Sequence, residues 1–399
     1  MLRSLPKLNY NISAKEIYLK FSEEPSQNIN PTINFYLNKS KKNIDTYQSE
    51  WDNTKKYTND YEFVGSNVPG TKHSISKIKP LSRAFYKLIE IFYSSNLIKG
   101  LKRQPLESFH LAEGPGGFIE ALLYMRNNSH DRYYGMTLID DKNKNKNIPG
   151  WKKSDQFLQS HSNVFIETGE DGTGNLYNSE NLKSCIRKYK NSMEIITADG
   201  GFDFSIDYNK QEVMAIRLIF TQIVYALHLQ KKGGVFIIKF FDTFTKASID
   251  MIYILSCMYE RVEINKPKSS RMANSEKYLV CKNFRYDNVD HISQKLIQII
   301  KILENIDPNE CFISSFLKTP WQLLFKNKIT DINSVLTQQQ ITTIFKTIKL
   351  IENKERKIDK VNKLKQTNVQ KCIKWCVEHN IPYNNDMPKV NIFLNRTTN

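Results

Sequence analysis

From about residue 61 to 285 the chain alternates short apolar runs with helix-length amphipathic stretches, and on either side of that region the alternation is lost. Apolar runs at 109–112, 133–139, 164–167, 195–198 and 235–240, followed by 262–266 and 278–282, predict strands. Between them, 82–94, 118–126, 211–230 and 246–259 repeat apolar residues near a 3.6 period and predict helices. Helices that separate most consecutive strands predict an α/β fold with a mostly parallel, doubly wound sheet. The last two strands have only the loop 267–275 between them, so they are expected to form an antiparallel hairpin at one end.

Residues 1–60 read as a polar extension that wraps the following domain, 61–285 as the α/β domain, and 286–399 as a helical C-terminal module with amphipathic stretches at 291–306, 332–352 and 367–379. The alternating Lys and Asn of 141–150 predict a solvated loop, and the charged run 354–365 a solvated helix face.

Composition narrows the class. The chain has 399 residues, 40% of them hydrophobic, enough for a sizeable core. Its 58 Lys and Arg against 41 Asp and Glu give a net charge of +17, which favours a polyanionic partner, nucleic acid before an anionic membrane surface. No window approaches 18 consecutive apolar residues, so no membrane span is expected. Arg3 and Lys7 flank no apolar core and do not read as a secretory signal. Six scattered cysteines do not form a disulfide framework, and a reducing, intracellular compartment is the simplest expectation. Cys372, Cys376 and His379 share a helical face, but without a second ligand pair they read as core residues around Trp375.

Candidate chemistry sits where strands break. The run Phe109-His110-Leu111-Ala112-Glu113-Gly114-Pro115-Gly116-Gly117-Phe118 is a strand, a glycine-rich turn and a helix start, where free N–H groups suit a carboxylate-bearing, nucleotide-like cofactor. It lacks both the spaced glycines of a dinucleotide fingerprint and the Gly-Lys-Ser/Thr of a triphosphate loop. Asp171 and Gly172 lie in a loop over the same sheet edge, where an acid can accept a hydrogen bond from an adenine amino group or ribose hydroxyl; Asp-Gly is also an ordinary turn pair. Asp199-Gly200-Gly201 ends another strand. Lys239 interrupts the apolar run 235–241, where a lysine is costly to bury unless its ammonium reaches a cleft. Asp199 and Lys239 are expected to converge at one edge. Lys87 on its helix and Glu276 before the last strand are unremarkable alone.

In order, Ser82-Arg83-Ala84-Phe85-Tyr86-Lys87-Leu88, Glu113-Gly114-Pro115-Gly116-Gly117-Phe118, Ala198-Asp199-Gly200-Gly201, Ile238-Lys239-Phe240-Phe241 and Ser270-Arg271-Met272-Ala273-Asn274-Ser275-Glu276 resemble the FtsJ/RrmJ family of S-adenosylmethionine-dependent RNA 2′-O-methyltransferases. The resemblance covers roughly residues 50–285. It implies a Rossmann-like methyltransferase sheet and a catalytic tetrad at Lys87, Asp199, Lys239 and Glu276, with no metal required. S-adenosylmethionine would bind at Gly114, Pro115, Gly116, Gly117 and Phe118, with Asp171, Gly172 and Asp199. Arg83, Lys268 and Arg271 would border an RNA groove, with Phe202 available for stacking.

Within the family, 198–202, 266–282, the Asp171 loop and Lys55-Lys56-Tyr57-Thr58-Asn59 look more like the eukaryotic and large-DNA-virus mRNA cap enzymes than the bacterial rRNA enzymes. That implies methylation of the first transcribed nucleotide of 5′-capped mRNA, in the cytoplasm, a viral factory or virion, or the nucleus, with a capping-complex protein as a further partner. The alternatives are 2′-O-methylation of rRNA, tRNA or the second cap nucleotide, or a non-catalytic RNA-binding subunit.

Overall fold

The computed structural model describes residues 2–24, 29–100, 104–139, 150–201, 209–306, 311–353 and 358–384. Its strands are β1 (Leu2–Ser4), β2 (Ile17–Ser22), β3 (Glu107–Leu111), β4 (Arg132–Met136), β5 (Val164–Ile166), β6 (Met193–Ala198), β7 (Gln230–Phe240), β8 (Tyr259–Asn265), β9 (Lys277–Phe284) and β10 (Phe312–Leu317). The helices are α1 (Pro31–Asp45), α2 (Gln48–Thr58), α3 (Ala84–Ser94), α4 (Gly117–Arg126), α5 (Asp155–Ser160), α6 (Ser179–Tyr189), α7 (Gln211–Leu229), α8 (Lys246–Met258), α9 (Asp290–Glu304), α10 (Leu323–Glu352) and α11 (Ile358–Glu378).

Eight strands form one sheet in the order β5-β4-β3-β6-β7-β9-β8-β1. The first five run parallel, while β9 lies antiparallel between β7 and β8. The chain enters at β3 in mid-sheet, builds outward through β4 and β5, then crosses back to β6. The crevice beyond the carboxyl ends of β3 and β6 is therefore a topological switch point, the usual seat of a ligand in an open α/β sheet.

The pleat divides the core into two faces. Ile196, Ala198, Phe236, Ile238 and Phe240 point into the layer of α7, α8 and α9; Ile195, Ile237, Tyr278 and Val280 point into the opposite layer of α3, α4 and α11. Odd-numbered residues of β6 and β7 thus face α3 and α4. The same parity carries Lys239, and Asp199 one step past β6, to the side on which α3 bears Lys87.

Helix α7 is long and apolar enough, by length and composition, to cross a membrane, but 83% of its apolar window is buried, as a core helix against the sheet.

Two expectations need correcting. Residues 1–60 do not merely wrap the following domain as a polar extension: β1 adds a strand to the sheet beside β8, and α1 and α2 pack on α10. Nor is the C-terminal part purely helical, because β10 pairs antiparallel with β2. These strands were missed because each is short and its partner lies far away in the chain, β8 for β1 and β2 for β10. Helix α6 was also unread, its apolar face being diluted by Lys and Arg. Trp375 of α11 is fully buried, edge-on to Tyr86 at 5.9 Å between ring centroids, and Cys372 and Cys376 are buried beside it. Of the loop 141–150, all but Gly150 lies outside the described residues.

Candidate active site

The site lies at the carboxyl edge of the sheet, where β7 ends and β9 begins. Register sets Lys239 opposite Tyr278 and Phe240 opposite Lys277, so the residue before β9, Glu276, arrives beside the end of β7. Lys87, on the second turn of α3, reaches down from the layer above. Its Nζ lies 2.9 and 3.0 Å from the two carboxylate oxygens of Glu276. Lys239 donates to the main-chain oxygen of Asp199 at 2.6 Å and lies 3.1 Å from its Oδ1. All four residues are brought together.

Tyr278 joins the two pairs. Its hydroxyl donates to Asp199 Oδ1 at 2.8 Å and sits 3.3 Å from Glu276 Oε1, making a continuous chain Lys87–Glu276–Tyr278–Asp199–Lys239. Sequence reasoning passed over this residue because a tyrosine in an apolar strand reads as core; its parity with Lys239 across the β7–β9 register was the available signal.

Charge within the chain is balanced by contact. Burial alone would push Glu276 up, but Lys87, Lys239 and Lys266 outweigh it and hold the carboxyl down to about 2. Burial opposes the charge of Lys87, yet Glu276 and Asp199 prevail and its pKa is raised. Lys266 is pushed down to about 7, chiefly by burial; its Nζ donates to the main-chain oxygens of Asn274 (2.8 Å) and Glu276 (2.6 Å) and to Asn274 Oδ1 (2.6 Å). It folds the strap 266–276 back on itself and so presents Glu276.

The strap is also tied from outside the sheet. Glu90, one turn beyond Lys87 on α3, accepts from Lys268 N (2.6 Å), Ser269 N (2.9 Å) and Trp375 Nε1 (3.2 Å). Asn59 Oδ1 accepts from Met272 N at 3.3 Å. Glu62, 1% exposed, receives both Arg83 (2.6 Å) and Arg271 (2.9 Å). Burial pushes the Glu62 carboxyl up, but Arg271 and Arg83 overcome this and hold it down to about 2. Two candidate RNA contacts, Arg83 and Arg271, therefore meet on one buried acid, and each keeps about a third of its side chain exposed, 31% and 36%. The third, Lys268, lies over the Tyr61 ring at 5.7 Å. Phe202 falls outside the described residues.

On the other side of Asp199 lies the glycine turn, and here the sequence reading needs amending. The amides of Phe118 and Ile119 at the start of α4 are already capped by Glu113 Oε1, at 2.6 and 3.1 Å. A carboxylate six residues back or fewer, folded over the turn, takes the donors that were assigned to a ligand. The Phe118 side chain is fully buried and packs on Tyr278 at 5.9 Å, below the turn rather than facing the crevice. Gly117 lets α4 meet α3: a Cβ there would lie 2.2 Å from Ser82 Oγ. Gly114 similarly touches Gly150, whose carbonyl oxygen would be 2.4 Å from an added Cβ. Pro115 completes the turn, its carbonyl accepting from Ser154 Oγ at 2.5 Å, and Gly116 holds a φ of +108°.

Asp171 serves its own loop. Its Oδ1 accepts from Thr173 N and Oγ1 and Asn181 Nδ2 and its Oδ2 from Asn178 Nδ2, all at 2.8–2.9 Å, which leaves acceptor capacity on Oδ2 alone. These bonds outweigh burial and lower its pKa. Gly172 supplies the turn's positive φ of +76°.

Three features mark the crevice as built for a ligand. Ala112 takes a left-handed φ of +51°, strain that a non-glycine residue rarely carries without functional need. Gln222 Nε2, buried against the Asp199–Gly200 turn, has no hydrogen-bond partner among the described residues. Glu113, raised to about 8 mainly by burial and further by the charge of Asp199, is a second acid in the field of the first. The acid that remains for a ligand carrying positive charge is Asp199, and S-adenosylmethionine, with its sulfonium and ammonium, suits an acidic edge beside a glycine turn whose helix-start amides are already capped.

A family model, FtsJ-like methyltransferase, matches residues 80–284, just over half of the chain. Human cap-specific mRNA (nucleoside-2′-O-)-methyltransferase 1 is 34% identical over 228 residues, 54% of this chain and 26% of that protein. Its Trypanosoma cruzi counterpart is 33% identical over 214 residues, 51% of this chain and 56% of that protein. Cap-specific mRNA (nucleoside-2′-O-)-methyltransferase 2 of Drosophila melanogaster is 28% identical over 225 residues, 54% and 31%. The chain thus spans about a quarter of the length of the human relative and about half that of the trypanosome protein. With the matched segment running from just before α3 to the end of β9, and so enclosing Lys87, Asp199, Lys239 and Glu276, the chain belongs to the FtsJ-like methyltransferase family.

Proposed function

We propose that this protein transfers a methyl group from S-adenosylmethionine to a ribose 2′-hydroxyl of RNA, at the first transcribed nucleotide of capped mRNA. The observation that carries the chemistry is the unbroken chain from Lys87 to Lys239 through Glu276, Tyr278 and Asp199. The cap assignment is supported by the names of the relatives.

When bound, S-adenosylmethionine supplies an electrophilic methyl on a positively charged sulfur. A ribose hydroxyl is a poor nucleophile at neutral pH, so the residues around it must bear its proton or its developing charge. Lys239 spends two donors on Asp199, one on the main-chain oxygen and one on the carboxylate, which leaves its third N–H to meet the 2′-oxygen. A fixed donor there stabilises the growing negative charge without reorganising; the hydroxyl proton would pass to water as the O–C bond formed and the S–C bond broke, leaving the sulfur of the spent cofactor as a neutral thioether. Asp199 orients that lysine, and Tyr278 orients Asp199. Lys87 and the ionised Glu276 form the second, counterbalanced pair and wall the ribose side. Because the groups share one network, the protons belong to the cluster as a whole.

The reading is tested by transferring labelled methyl from S-adenosylmethionine to matched RNAs bearing an N7-methylated cap, an unmethylated cap or a free 5′ end, and mapping the product. Label on the first nucleotide's 2′-oxygen in capped RNA alone is the expected result. Cap-independent labelling would move the target to internal RNA, label on the second nucleotide would move it one position, and no label would leave an RNA-binding role.

A further inference from the structure

Helices α1 and α10 lie outside the family-matched segment, yet Lys41 of α1 and Asn333 of α10 bond Asp242 and Thr243, just past the end of β7. They run parallel. Asn30 Nδ2 bonds Thr330 O and Ser334 Oγ at 3.2 and 2.9 Å at one end, Tyr47 OH bonds Glu352 at 2.7 Å at the other, and Leu37 packs with Ile341 between. The pair is pinned to the sheet by a buried ion pair, Lys41 to Asp242 at 2.7 Å, and by Phe244 packed with Leu37 and Ile341. Asp242 follows Lys239 by three residues, about 10 Å of extended chain. Gln340 Nε2 of α10 also donates to Ala273 O at 3.0 Å, in the strap that presents Glu276, so the helix pair abuts the segment beside the candidate catalytic lysine.

Between the two helices runs an open groove of about 570 Å³. Tyr36 and Phe345 stand on its two walls, 54% and 45% exposed. Phe35, 63% exposed, meets Tyr36 edge-on at 5.5 Å. Asn43, Thr32 and Gln338 add amides and a hydroxyl to the lining. Around it, Lys39, Lys42, Lys346 and Lys349 are exposed, and among the described residues none of the four is paired with an acid. Exposed aromatic faces interleaved with uncompensated lysines are what single-stranded nucleic acid requires: rings accept bases of any sequence, and ammonium groups accept phosphates.

We propose that the α1–α10 groove binds the body of the RNA substrate downstream of the nucleotide held at Lys239, with Tyr36 and Phe345 stacking bases and Lys39 and Lys349 contacting phosphates. The inference rests on the reading of the site as an RNA methyltransferase. It commits to RNA over a protein partner because four exposed lysines without an acid partner among the described residues surround exposed aromatic faces, and because the helix pair abuts the strap beside the site.

The experiment uses the full chain and two capped RNAs, four and twenty nucleotides long. Binding is read by fluorescence anisotropy and methyl transfer is measured separately. The doubles Tyr36→Ala/Phe345→Ala and Lys39→Glu/Lys349→Glu change exposed side chains only, and unaltered thermal midpoints check that both fold. For the twenty-mer, the expected result is a loss of affinity of about tenfold in each double. In the lysine double the salt slope should also fall by about 1.4, from two lost phosphate contacts at roughly 0.7 each. The four-mer should bind and react as with wild type. Unchanged affinity for the twenty-mer, whether or not a protein then proves to occupy the groove, overturns the proposal; so does equal loss on both lengths. Wild-type protein that binds the twenty-mer in a groove-dependent way but transfers no methyl to either RNA defeats the enzymatic reading and leaves the groove standing.

Discussion

The two halves of the candidate site are held by different means. Asp199 and Lys239 sit on adjacent parallel strands, two main-chain segments whose spacing is set by the β6–β7 ladder, and their contact follows from register and pleat alone. Lys87 and Glu276 meet because a helix and a strap are pulled together by residues far off in the chain: Glu90 and Glu62 above, Asn59 at the end of α2, Trp375 on α11. The floor is a product of the sheet, whereas the wall depends on segments that flank it on both sides. One half should therefore respond to mutation only where chemistry is touched, and the other should respond to changes well outside contact with a substrate.

The largest effect tests the floor. Lys239→Met, which keeps the stem and removes the donor, should lower kcat for methyl transfer by about 10²–10⁴ while leaving the urea midpoint near that of wild type. A large fall in stability instead would make Lys239 a structural member of the strand and dissolve the contrast. Next comes the wall. Glu90→Ala removes the acceptor of two strap amides and an indole N–H, buried donors that then go unpaired, and should cost about 2–4 kcal/mol in urea unfolding together with loss of transfer. Stability reduced with transfer intact would show that Glu276 holds its place without the tie. The smallest effect is a pH dependence. Glu62 is held down to about 2 in the folded chain, below its ordinary value, so the unfolded chain binds the extra proton in between. Its stabilisation is complete above roughly pH 5 and is lost as pH falls toward 2, amounting to about 2–3 kcal/mol. Unfolding followed between pH 5 and pH 3 should show that loss in wild type and a shallower one in Glu62→Gln; identical slopes would remove Glu62 from the wall's support.

The floor was legible in the sequence and most of the wall was not. An acid closing one apolar run and a lysine inside the next are anomalies that alternation makes visible, and strand adjacency then forces them together. Lys87 and Glu276 carry no such mark; only the ordered motifs singled them out. Glu62, Glu90 and Trp375 were silent because each acts on a partner 178 to 285 residues away, a relation that no local window contains. At the glycine turn the local pattern misled: free amides were inferred at the start of α4, but Glu113 folds back to occupy them, an arrangement that depends on the turn's conformation rather than on composition.

The tie between Trp375 and Glu90 also bears on the order in which the protein is made. A ribosome delivers Lys87, Asp199, Lys239 and Glu276, the last of them about a hundred residues before Trp375, so the nascent chain holds all four candidate side chains before it holds the indole that ties Glu90. Chains that stop short of α11 would carry the full set of motifs while Glu90, still holding the strap amides, lacked its indole donor and the aromatic cover on Tyr86.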